Sequence, residues 1–162
     1  MQKSSNYPIG PLWALNISKV YIYLVTSSGF TLAIEFDNLP WQVSSMAAVF
    51  RELSPLLSCV DHLDLLGRFT WRQAQQHIID PTKWQELFHP FIAVQSLHVS
   101  KKLRPLIAFA LQALTGERDT EVLPRLLYIF YQGFQPSGLV HEVTKLFVNA
   151  REQSGFSVAV LC

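Results

Sequence analysis

The residues best suited to chemistry in this chain are His62, Asp64, His98 and Ser100. His98 lies between Leu97 and Val99, and Asp64 lies between Leu63 and Leu65, at equivalent places in two copies of one apolar spacing. On neighbouring parallel strands the two side chains point to the same face. Ser100 follows His98 by two residues and falls on that face as well. A serine, an imidazole and a carboxylate are the parts of a nucleophilic hydrolase: the imidazole takes the hydroxyl proton and the carboxylate orients the imidazole. Ser100, His98 and Asp64 are therefore one way to read the chain. The supporting motifs of such an enzyme, a GxSxG turn and a glycine-rich oxyanion loop, do not occur. His62, Asp64 and His98 lack the HxxxH or CxxC spacing of metal ligands, so no metal is expected. Neither GxGxxG nor GxxxxGK[ST] is present, so no nucleotide or other cofactor is expected.

The spacing that aligns these residues organises the chain. Leu57, Val60, Leu63 and Leu65 are separated by three, three and two residues. Phe91, Val94, Leu97 and Val99 repeat the pattern 34 residues later, and Leu123, Leu126, Ile129 and Tyr131 repeat it 32 residues after that. A period in this range is the mark of a repeat architecture.

Length and composition set the class. At 162 residues the chain is one domain's worth of protein. Residues 1–12 read as a frayed end and 13–162 as a single domain, whole or partial. Apolar residues reach 49% and charged ones only 15%, which excludes disorder and suggests apolar surface left for a partner. A net charge of +1 without a basic stripe argues against nucleic acid. No run of about 18 apolar residues exists, so no membrane span is expected. Two distant cysteines, Cys59 and Cys162, read as free thiols in a reducing compartment, with Cys59 in the core. The expected location is cytoplasmic or nuclear.

The elements follow from periodicity and punctuation. Val20–Val25 is dense in β-branched and aromatic residues and predicts a strand. Thr26–Gly29 is a turn, and Phe30–Phe36 alternates as a second strand. Residues 41–53 predict a helix ended by Pro55. A strand near His62–Leu66, stopped by Gly67, precedes an irregular insertion at 70–80 and a helix over Thr82–Phe88 capped by Thr82. Further strands fall at Gln95–Ser100, Leu127–Gln132 and Phe156–Leu161. Helices fall at Leu103–Thr115 and Leu139–Glu152, the second burying Val140, Val143, Leu146, Phe147 and Ala150 and capped by Ser137. Alternating β and α requires crossovers and a mainly parallel sheet. The expected fold is thus α/β, an irregular leucine-rich-repeat-like arc of strand–helix units. A three-layer α/β sheet is the competing architecture.

Outward strand positions then form one row of candidates. Glu35 with Ala33, His62 with Asp64, Ser96 with His98, and Tyr128 with Phe130 should stand side by side. The strand face of a repeat arc suits a protein partner, and exposed aromatics such as Tyr128 and Phe130 favour binding. Trp41 and Trp84 read as core, and Trp71 as an exposed contact.

Three stretches carry a family resemblance: FTLAIEFDNLPWQVSSMA, WQELFHPFIAVQSLHVSKKLRPLIAFALQALTGE and TEVLPRLLYIFYQGFQPSGLVHEVTKLFVNAREQSGFSVAV. In this order they resemble the C-terminal, leucine-rich-repeat-like part of F-box-like proteins of mushroom-forming fungi. The resemblance implies a repeat region that holds a protein target. It also implies docking to a Skp adaptor and cullin where a longer parent chain carries the F-box, which is not recognisable here. The expectation is a non-enzymatic protein-interaction domain of the ubiquitin-ligase adaptor type. The alternatives are the Ser100–His98–Asp64 hydrolase or a degenerate fragment without a role of its own.

Overall fold

The computed structural model describes residues 19–29, 31–37, 39–68, 81–115, 121–133 and 138–161. Outside them lie the expected frayed end, the insertion at 70–80 with Trp71, the Ser137 cap and Cys162; the Trp41 and Thr82 side chains also lie outside the description.

Strands β1 (Lys19–Val25) and β2 (Thr31–Asp37) form an antiparallel hairpin. Its turn closes through Gly29, whose amide donates to the Thr26 carbonyl at 2.9 Å. Gly29 has φ 85, a conformation that costs a residue with a Cβ. Helix α1 (Leu39–Glu52) follows, then a single helical turn, α2 (Ser54–Leu57). Three strand–helix units come next: β3 (His62–Arg68) with α3 (Pro81–Phe88), β4 (Ser96–Val99) with α4 (Arg104–Ala113), and β5 (Tyr128–Tyr131) with α5 (Leu139–Gln153). Strand β6 (Ala159–Leu161) is last. Pro105 is tolerated in the first turn of α4, where an amide has no internal acceptor in any case. Gly138, with φ 87, occupies the position before α5, so a glycine starts that helix without a side-chain cap.

The six strands form one sheet in the order β2-β1-β3-β4-β5-β6. The pairs β3–β4, β4–β5 and β5–β6 are parallel; β1 pairs antiparallel with both β2 and β3. The fold is therefore mixed α/β, with alternating strand–helix units and a largely parallel sheet. Crossovers of one hand, taken always toward the same neighbouring strand, put their helices on the same face. Accordingly α1, α3, α4 and α5 pack side by side in a row. Among the described residues the sheet and the helices make two layers, and no described helix covers the second face of the sheet.

The repeated spacing is the core of this arrangement. All twelve of its residues are buried, and Leu63, Leu97 and Ile129 are register partners across β3, β4 and β5. Phe50 meets Phe91 edge to face at 5.4 Å, and Trp84 lies fully inside, as expected.

Several expectations need correction. β1 lies between β2 and β3, so Glu35 pairs with Tyr21 and is two strands from Asp64. Gly67 does not stop β3, which runs on to Arg68. Thr82 lies inside α3, whose first residue is Pro81. Cys59 is exposed, its thiol donating to the Leu56 carbonyl at 3.0 Å. Leu146 is 52% exposed and Phe156 42%, whereas Thr144 and Arg151 on the same helix are buried.

Candidate functional site

The open face is a grid fixed by backbone pairing. One row reads Val25, His62, Ser96, Tyr128 and Ala159 across β1, β3, β4, β5 and β6. The next reads Tyr23, Asp64, His98, Phe130 and Leu161. The entry to β4 is held by one carbonyl: the Gln95 and Ser96 amides donate to the Asp61 oxygen at 2.8 and 3.2 Å. Asp61 therefore sets the height of Ser96 beside His62.

In the first row, Ser96 Oγ is hydrogen-bonded to His62 Nδ1. For the serine to donate, Nδ1 must be the bare nitrogen, and Nε2 then carries the ring proton. Nε2 lies 4.0 Å from Asp61 Oδ1. That carboxylate oxygen is buried and accepts no hydrogen bond among the described residues. Its negative charge is thus available to the ring as the ring becomes cationic. Ser96 is 4% exposed, while the His62 side chain is 51% exposed. The hydroxyl is held at the bottom of the face and the imidazole is open to solvent.

In the second row, His98 Nδ1 lies 3.7 Å from Asp64 Oδ1. The His98 ring also rests on Phe130, with centroids 4.3 Å apart, and Phe130 is followed by Tyr128 at 6.2 Å. Asp64, Leu66, His98, Ser100, Phe130 and Gln132 line a groove of about 270 Å³.

The structure brings together most of the residues expected on this face, but not in the expected grouping. Asp64 does pair with His98. Ser100 does not complete that pair: its hydroxyl oxygen accepts the Gly67 amide at 2.9 Å and the residue is buried. Ser96, expected only as a contact residue, is the serine joined to an imidazole. Asp61 was not anticipated, because it precedes the strand and has no place in the alternation. The signal that could have found it is its position directly before the first outward histidine.

These contacts correct the functional expectation. A surface without chemistry of its own does not account for a serine hydrogen-bonded to a histidine with a carboxylate behind it, beside a second histidine–carboxylate pair. The reading as a non-enzymatic adaptor surface is replaced on that ground. Among the described residues, no group of three or more His, Cys, Asp or Glu side chains is placed to hold a metal ion. Among the same residues, no helix is long and apolar enough to cross a membrane. Comparison with protein-family models, curated proteins and solved structures finds no match to this chain, so none of them identifies it as an F-box-type ubiquitin-ligase adaptor.

Proposed function

We propose that the open face of the sheet is a hydrolytic site in which Ser96 is the nucleophile and His62 its base. The observation that carries this reading is the hydrogen bond between Ser96 Oγ and His62 Nδ1. Ser96 Oγ forms a bond to the carbonyl carbon of an ester while its proton passes to His62 Nδ1. The bond from that carbon to the alcohol oxygen breaks, and the alcohol leaves with the proton. Water then attacks the acyl-serine, gives a proton to His62 and releases the acid as Ser96 Oγ takes the proton back. Asp61 favours the cationic ring in both steps from its position near Nε2.

Ser100 is the weaker candidate because its oxygen is already engaged by the Gly67 amide. The scaffold itself we read as an irregular leucine-rich-repeat-like arc, a description supported by the stacked register of Leu63, Leu97 and Ile129.

Labelling with a fluorophosphonate, followed by peptide mass analysis, tests the site. The expected adduct is on Ser96, and it disappears in His62→Gln. An adduct on Ser100, or none on either serine, overturns the assignment.

A further inference from the structure

Resting on that reading, we infer that the site takes neutral carboxylic esters that carry an aromatic ring, with the ring held on Tyr128 and Phe130. Ser96 and Tyr128 are register partners on adjacent strands, so the nearest side chain beyond the hydroxyl on that row is a phenol. Phe130 stands one row away, its ring between those of His98 and Tyr128. Tyr128 is 44% exposed, although large aromatic groups usually bury. The three rings run in a row, each tilted 38° to the next, with Tyr128 beside Ser96 in register and with Phe130 and His98 lining the groove. A planar ring bound there stacks on these rings and leaves its ester group over Ser96.

Charge narrows the class further. The two rows around Ser96 carry the carboxylate of Asp64 and two imidazoles, and no lysine or arginine. The Asp61 carboxylate lies just behind. Within these two rows a phosphate ester would bring its negative charges beside the two carboxylates, and no described side chain of the rows is a guanidinium or ammonium that could receive them. A neutral ester meets no such penalty.

The test pairs turnover with binding. Hydrolysis of phenyl acetate and of ethyl acetate is followed by proton release for the parent chain, Ser96→Ala and Tyr128→Leu/Phe130→Leu. Binding of phenylacetone, which cannot be hydrolysed, and of phenyl phosphate is followed by ligand NMR. The double variant should raise KM for phenyl acetate about tenfold, and by clearly more than it raises KM for ethyl acetate. Phenylacetone protons should show ring-current shifts with the parent chain and with Ser96→Ala, but not with the double variant. Phenyl phosphate should bind at least tenfold more weakly. A thermal melt confirms that the leucine variant is folded. Unshifted phenylacetone, or equal binding of phenyl phosphate, overturns the aromatic-ester inference whatever the turnover. Phenylacetone that binds as expected while Ser96→Ala retains full hydrolysis overturns the nucleophile and leaves the ring site standing.

Discussion

His62 and Ser96 face each other as register partners on two parallel strands, 34 residues apart, which is one period of the repeated spacing. The side-chain hydrogen bond between them therefore crosses from one unit to the next. Removing the hydroxyl should separate chemistry from folding. Ser96→Ala is expected to lower ester hydrolysis at least a hundredfold with little change in the melt. Ser100→Ala should do the opposite. It leaves the Gly67 amide without its acceptor, costs about 1–2 kcal/mol, and keeps most of the activity. Rates and denaturant melts of the two variants check the assignment.

Asp61 acts on His62 at a distance of 4.0 Å and through no hydrogen bond. Asp61→Asn keeps the shape and the backbone carbonyl that holds β4. It is expected to lower kcat about tenfold or more, with KM little changed. Stability should not fall, because a neutral amide lowers the desolvation cost of a buried carboxylate oxygen that has no donor. A kcat equal to that of the parent chain would remove Asp61 from the mechanism.

How far the sequence foretold this site depends on what holds each residue. The inward set was legible, because strand alternation and a repeated spacing both point to Leu63, Leu97 and Ile129. The same alternation put His62, Ser96, Asp64 and His98 outward. Their pairing was not legible, because it depends on which ring nitrogen meets which oxygen. The place of β1 was also hidden. A hairpin can add to a sheet by either edge, and only long-range pairing chose β1 over β2 as the neighbour of β3, displacing Glu35. Arg151 was missed for a different reason: a charged side chain is expected in solvent.

Arg151 is fully buried, and one of its terminal nitrogens donates to the Leu123 and Pro124 carbonyls at 3.1 and 3.2 Å. Its guanidinium also lies 5.1 Å from the Phe156 ring and 5.9 Å from that of Phe147. Leu123 has φ 50, an uncommon conformation for a residue with a branched side chain, so this loop needs outside support. Arg151→Met is expected to cost about 3 kcal/mol in a urea melt. Arg151→Lys should not restore it, because an ammonium cannot reproduce the planar fork.

Tyr131 is a residue through which alkali should destabilise the fold. Burial pushes its phenol from 10.0 up to about 12, and the Thr144 hydroxyl, 3.3 Å away, only partly offsets this. That hydroxyl also reaches the Val140 carbonyl at 2.7 Å. A phenol whose folded value is raised contributes its full stability below pH 10.0 and loses it as the pH climbs to about 12. The loss amounts to roughly 3 kcal/mol at 1.36 kcal/mol per unit. Melts of the parent chain between pH 9 and 12 should fall by about that amount, and Tyr131→Phe should flatten the curve.

The grid of the open face and the packing beneath it are set by the same strand pairing. If β4 slipped by one residue against β3, Leu97 would come to face His62, and the Ser96 hydroxyl would turn in against the helices. Heat or urea should therefore extinguish catalysis and cooperative structure along one superimposable curve, with no inactive yet folded species between them.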